Sequence, residues 1–147
     1  MQELRELYQE TILEHSRKPR NYGELASANH KAEGFNPLCG DHYTVFLNMK
    51  DGKIDEITFH GAGCAISKAS ASMMTQSLKG KSEQEAEALF GQFHDLVTGQ
   101  GSQPEKLGKL AVFAGVSEFP LRVKCATLAW HAMRAALHGD QDAVSTE

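Results

Sequence analysis

Apolar residues at the start of the chain recur at helical spacing. Leu4, Leu7, Tyr8, Ile12 and Leu13 alternate with polar positions, which predicts an amphipathic helix from about Gln2 to His15. The stretch SRKPRNYG, with Pro19 and Gly23, ends it. The period then changes. Tyr43, Val45, Leu47 and Met49 alternate with Thr44, Phe46 and Asn48, the two-residue repeat of a strand. Asp51-Gly52 is a hairpin turn signal, and a return strand is expected from about Lys53 to His60. An extended segment near Ala28 to Phe35 supplies a third strand.

Beyond Gly61-Ala62-Gly63 the pattern is helical again. AISKASASMMTQSLKG reads as one helix ending near Gly80. SEQEAEALFGQFHDLV reads as another, opened by a Ser82/Glu85 capping box and striped by Ala86, Leu89, Phe90, Phe93 and Val97. A polar segment, TGQGSQPEKLG, and a short apolar one, LAVFAGV, precede a last helix from about Phe119 to His138. The predicted class is α+β: a small three-stranded antiparallel sheet with helices packed against it. The chain, 1–147, is read as a single domain, with 1–18 as the N-terminal helix and 139–147 as a flexible tail.

Composition narrows the function. Fifteen Lys and Arg against nineteen Asp and Glu give a net charge of -4, which argues against non-specific nucleic-acid binding. Nothing approaches the roughly 20 apolar residues of a bilayer span, and the charged start does not read as a secretory signal. A cytoplasmic location is expected, and a monomer when the chain is alone.

The informative residues are three cysteines, too widely spaced for a disulfide scaffold. Cys39 lies in NPLCGD, a loop entering the first hairpin strand. Asp41 follows two residues on, so both side chains can point to one place on an extended chain. Cys64 comes just after the second hairpin strand, at a helix N-terminus, where the dipole and free N–H groups lower a thiol's pKa below about 8.5. The two ends of a hairpin meet, so Cys39, Asp41 and Cys64 are expected as neighbours. Cys125 lies near the start of the last helix, with the cations Arg122 and Lys124 beside it to favour its thiolate. Three thiolates and a carboxylate make a closed four-ligand set that suits zinc or iron rather than magnesium or calcium. The carboxylate is the ligand most easily displaced, so such a site can open for chemistry. The plainer readings are that Cys64 or Cys125 is a buried small apolar residue, or that the set holds a purely structural zinc.

GFNPLCGD (Gly34 to Asp41), GAGCAISKASASMMT (Gly61 to Thr75) and FPLRVKCATLAWH (Phe119 to His131) resemble the three signature blocks of the IscU/SufU (NifU N-terminal-like) iron–sulfur cluster assembly family. The IscU branch carries a His before the third Cys within a Leu-Pro-Pro-Val-Lys motif. Here Lys124 holds that position and the double proline is missing. An insertion around GQFHDLVTGQGSQPEKL precedes the third Cys, so the chain is similar to the SufU type. The resemblance implies a zinc-dependent sulfurtransferase that takes persulfide sulfur from a SufS-type PLP-dependent cysteine desulfurase and hands it to downstream iron–sulfur assembly proteins. It implies zinc on Cys39, Asp41, Cys64 and Cys125, with Cys39 as sulfur acceptor and Arg122 steadying the site or the partner contact. The alternatives are a scaffold that assembles a transient [2Fe–2S] cluster on the same ligands and a non-enzymatic module with structural zinc. A Cys–His hydrolase is disfavoured, because none of the seven histidines has an evident orienting partner.

Overall fold

The computed structural model describes residues 2–100, 107–139 and 144–145, with side chains described from residue 9 to residue 139 within those ranges. The helix α1 spans Gln2–Arg17. Strands β1 (His30–Asn36), β2 (Asp41–Lys50) and β3 (Lys53–Ala62) follow. Then come α2 (Ala65–Leu78), α3 (Glu83–Thr98), a 3₁₀ segment (Gly108–Glu118) and α4 (Pro120–Leu137).

The expected three-stranded antiparallel sheet is present, with β2 in the middle. A two-residue strand, β4 (Val144–Ser145), adds to it and runs parallel to β1, giving the order β3-β2-β1-β4. It falls inside the segment read as a loose tail; the rest of that tail beyond Gly139 lies outside the described residues. The β2–β3 turn has positive φ at both Asp51 (54°) and Gly52 (77°), the backbone of a type I′ hairpin turn.

Alternation along β2 sends Asp41, Tyr43, Val45 and Leu47 inward and His42, Thr44, Phe46 and Asn48 outward. The inward face lies against α4, and α2 packs between α1 and α4. Ser70 on α2 joins this contact. Its hydroxyl donates to the Ala126 carbonyl at 2.5 Å and accepts from Trp130 Nε1 at 3.1 Å, all buried.

Three local segments carry detail beyond the sequence pattern. Leu4, Leu7 and Tyr8 of the expected α1 stripe lie outside the described side chains, while Leu13 of that stripe is exposed and His15 is buried in its stead. His15 is held there by Ser72, whose Oγ lies 2.7 Å from Nδ1. The capping box at Ser82 and Glu85 forms as expected, but Leu96 joins the buried stripe of α3 and Leu89 sits at its margin. The LAVFAGV stretch is wound as 3₁₀ helix. Leu107, Leu110, Phe113 and Val116 are all buried at a spacing of three, the period at which 3₁₀ side chains share a face. Phe113 meets Phe93 edge-on, and Phe93 stacks on Trp130 at 4.5 Å between ring centroids.

Burial lowers the His15 pKa, with the Arg20 charge adding to the effect. The native state therefore binds this proton less readily than the unfolded chain. The stability neutral His15 supports is complete above about pH 6.5 and is lost as pH falls through the window beneath it. His15→Asn, measured by urea denaturation with a chelator present, should flatten the stability–pH curve just below that point. An unchanged slope would remove His15 as its cause.

Candidate metal centre

Strand register brings two of the chemical segments together. Asn36 pairs with Asp41 across β1 and β2, and His42 pairs with Ala62 across β2 and β3. The β1–β2 turn, which carries Cys39, and the end of β3, which leads to Cys64, therefore share one end of the sheet. Within the turn, the N–H groups of Cys39 and Gly40 both donate to the Asn36 carbonyl, and the Asn36 side-chain oxygen accepts from Leu38 N–H.

The glycines of Gly61-Ala62-Gly63 have separate roles. Gly61 has φ of +147° and lies so close to the His42 carbonyl that no side chain fits. A Cβ on Gly63 would stand 2.6 Å from Asp41 Oδ1, 2.6 Å from Ser67 Oγ and 2.7 Å from the Tyr43 hydroxyl. The next residue, Cys64, is the N-cap of α2, its sulfur accepting from Ser67 N–H at 3.4 Å. Its own N–H donates to Asp41 Oδ1 at 2.9 Å.

The third segment arrives on α4, which lies along β1 and β2. Gly34 lets it approach closely: a Cβ there would meet Leu128 Cδ1 at 3.0 Å and Ala132 Cβ at 3.3 Å. At that depth Cys125 is fully buried, 3.4 Å sulfur to sulfur from Cys39 and 3.8 Å from Asn36 Nδ2.

The structure thus brings three of the four expected ligands into one set. Donor atoms of Cys39, Asp41 and Cys125 all lie within 4.8 Å of one another. Cys64 stands beside this set rather than within it. Its sulfur is 3.9 Å from Asp41 Oδ2, while the Cys125 thiol donates to Cys39 Sγ. Arg122 is exposed on the first turn of α4.

The chemistry of the donor set fits a soft or borderline cation. Two thiolates on one tetrahedral zinc, at bond lengths near 2.3 Å, sit roughly 3.8 Å apart. That is close to the 3.4 Å between Cys39 and Cys125. The Asp41 carboxylate is 0% exposed, and a buried carboxylate needs a countercharge or several donors.

Electrostatics separate the thiols. The Cys64 pKa is lowered, chiefly by the hydrogen bond from Cys125, with Ser67 N–H assisting and burial opposing. The helix-end donors expected from sequence do contribute, but a second thiol contributes more. Cys125 is pushed up by its bond to Cys64 and by burial. This runs against the expectation that Arg122 and Lys124 favour its thiolate. Burial also raises the Tyr43 phenol, whose hydroxyl lies 3.1 Å from Ser67 Oγ.

Asn36, Ser67 and Tyr43 were not found by reading the sequence for ligands. Asn36 had a signal, the Asn-Pro step of a turn that caps its own backbone. Ser67 follows Cys64 by three residues, the spacing from an N-cap to its N3 donor. Tyr43 read as one more inward strand residue.

Fold and site together define a small α+β protein presenting a mixed sulfur and oxygen donor set at one end of its sheet. Residues 7–139 match the NifU-like N terminal domain, and the chain belongs to that family, the IscU/SufU group of iron–sulfur cluster assembly proteins. It is 41% identical over 138 residues, 93% of this chain and 86% of the relative, to the iron–sulfur cluster assembly scaffold protein IscU of Streptococcus pyogenes. It is 39% identical over 128 residues, 86% of each, to the zinc-dependent sulfurtransferase SufU of Bacillus subtilis. A solved structure from Fervidobacterium islandicum, a candidate cluster assembly scaffold for the SUF system, superposes with a TM-score of 0.83. It is 34% identical and covers 87% of this chain and 94% of its own.

Gly63→Ala should leave the protein folded and weaken the binding of added zinc without abolishing it, because the added methyl displaces Asp41, Ser67 or Tyr43 and leaves the thiols in place. Competition with a chromophoric zinc chelator, alongside circular dichroism, checks this, and an affinity equal to wild type would show the close approach to be unnecessary.

Proposed function

We propose that this protein is a SufU-type, zinc-dependent sulfurtransferase that accepts persulfide sulfur from a SufS-type cysteine desulfurase. The observation that carries the reading is the placement of Cys39. It is the exposed thiol of the three, on a turn, in a set otherwise formed by buried Asp41 and Cys125, with half-buried Cys64 beside it. The missing double proline, Lys124 in place of a histidine, and the Bacillus relative's description support the SufU branch.

Cys39, Asp41, Cys64 and Cys125 would hold the zinc. When bound, it supplies the positive charge that keeps thiols deprotonated at neutral pH. The Cys39 thiolate attacks the outer sulfur of the enzyme persulfide, forms a Cys39 persulfide and releases the enzyme's cysteine as thiolate. Asp41 orients Cys64 through its backbone N–H, and Asn36 shapes the turn that presents Cys39. Arg122 is assigned to the partner contact, being exposed on the helix turn that precedes Cys125.

The second reading is a scaffold on which a [2Fe–2S] cluster is assembled as cargo, favoured by the Streptococcus relative's description. Thiolates serve both roles. Anaerobic reconstitution followed by visible absorption separates them, a stable cluster at defined stoichiometry favouring the scaffold.

Cys39→Ser should fail to stimulate a SufS-type desulfurase supplied with cysteine. Stimulation equal to wild type would remove Cys39 as acceptor. Asp41→Ala should retain zinc on three thiolates after gentle purification while transferring sulfur poorly; complete loss of metal would contradict the carboxylate's role as the displaceable ligand.

A further inference from the structure

The sulfur-acceptor reading leaves open why sulfur goes to Cys39 rather than to Cys64, which is only half-buried. Metal binding takes the proton from each thiol it engages. The sulfurs are then all thiolates, and what separates them is the set of groups donating to each. Cys64 Sγ accepts from Ser67 N–H at 3.4 Å and lies 3.6 Å from Ser67 Oγ. Cys125 Sγ accepts from Asn36 Nδ2 at 3.8 Å. Among the described residues, the one group directed at Cys39 Sγ is the Cys125 thiol, whose proton leaves when the metal binds.

The Ser67 hydroxyl has two acceptors within reach, the Cys64 sulfur and the Cys64 carbonyl at 3.0 Å. That carbonyl is already supplied by Lys68 N–H at 3.0 Å. A charged acceptor makes the stronger bond, so the hydroxyl proton turns to sulfur once Cys64 is ionised. Tyr43 favours the same orientation. Its hydroxyl is buried 3.1 Å from Ser67 Oγ, and a buried phenol needs such a partner. When Tyr43 donates to Ser67 Oγ, the Ser67 proton points onward to Cys64. Gly63 leaves the room for this chain: a Cβ there would stand 2.6 Å from Ser67 Oγ and 2.7 Å from the Tyr43 hydroxyl.

We propose that Ser67 and Tyr43 are positioning residues that damp the Cys64 thiolate, so that the metal-loaded site meets an incoming persulfide through Cys39. This rests on the reading of Cys39 as the sulfur acceptor. Donors on a thiolate lower its basicity, and a less basic thiolate is a poorer nucleophile. Asn36 does the same for Cys125, which burial shields as well. A hydrogen bond to a charged sulfur changes its basicity by roughly ten- to a hundredfold. Nucleophilic rates follow basicity with a slope of about 0.4–0.5, so losing the Ser67 hydroxyl should speed reaction at Cys64 roughly three- to tenfold.

The test treats the full-length, zinc-loaded protein with limiting iodoacetamide and reads the labelling rate of each cysteine by peptide mass mapping. Wild type should label Cys39 first. Ser67→Ala, with zinc content and circular dichroism matched to wild type, should label Cys64 roughly three- to tenfold faster, the Cys39 rate serving as internal reference. Tyr43→Phe should change Cys64 in the same direction and by less. Loading with cobalt(II) instead gives a readout that accessibility does not move. Thiolate-to-metal absorption should shift to longer wavelength in both variants, because a sulfur that loses a donor gives up charge more readily. Wild type that labels Cys64 as fast as Cys39 overturns the proposal and needs no variant to be seen. An unchanged Cys64 rate with an unchanged cobalt spectrum in Tyr43→Phe, which removes a single oxygen, overturns it too. Charging wild type with a SufS-type desulfurase plus cysteine is a separate arm: sulfur mapped to Cys64 there, with iodoacetamide still favouring Cys39, would count against the acceptor reading instead.

Discussion

The site depends on one buried carboxylate. Asp41 opens β2 with no solvent exposure, and an ionised group in such a place must be compensated or it destabilises the fold. The Cys64 N–H provides part of that compensation at 2.9 Å. The donor is available only because the chain passes Asp41 as glycine, since any side chain at Gly63 would occupy the same space. The end of β3, the start of α2 and the sulfur of Cys64 are all located by how the Asp41 charge is satisfied. A cation shared with the thiols would complete the compensation.

Around this anchor the sulfurs differ in support. Cys64 is built into a helix cap, its sulfur bonded by Ser67 N–H. Cys125 sits inside a helix packed on the sheet at a depth allowed by Gly34. Cys39 alone is on a turn and open to solvent. Identical thiols thus acquire different tasks from their backbones: two are fixed, and the third can be offered to another molecule. Their electrostatics sharpen the difference: the Cys64 thiol is held below the usual range and the Cys125 thiol is pushed above it.

Much of the fold was legible because local signals and tertiary structure agree. The strand alternation from Tyr43, the Asp51-Gly52 turn and the Ser82/Glu85 box each specify their element through nearest neighbours alone. The approach of Cys39 and of Cys64 to Asp41 followed from hairpin geometry. Cys125 did not, since its distance from the turn is set by contact between Gly34 and Leu128, residues 94 positions apart; only the family resemblance pointed to it. The 3₁₀ segment was hidden for a related reason: its spacing of three becomes visible once burial by Phe93 and Trp130 is known. His15 on the buried side of α1, with Leu13 exposed, reflects a hydrogen bond to Ser72 that no helical period encodes.

The stacking of Phe93 on Trp130 has a consequence for how such chains can diverge. Trp130 follows Cys125 by five residues, which turns it about 140° around the axis of α4. The excursion between the second and third cysteines is thus moored on a flank of the helix turned away from the sulfur that α4 carries. Extra chain can be added or trimmed there while the spacing of the ligands stays the same. The helix behaves as a bulkhead: length variation accumulates on one side, and chemistry is kept in register on the other.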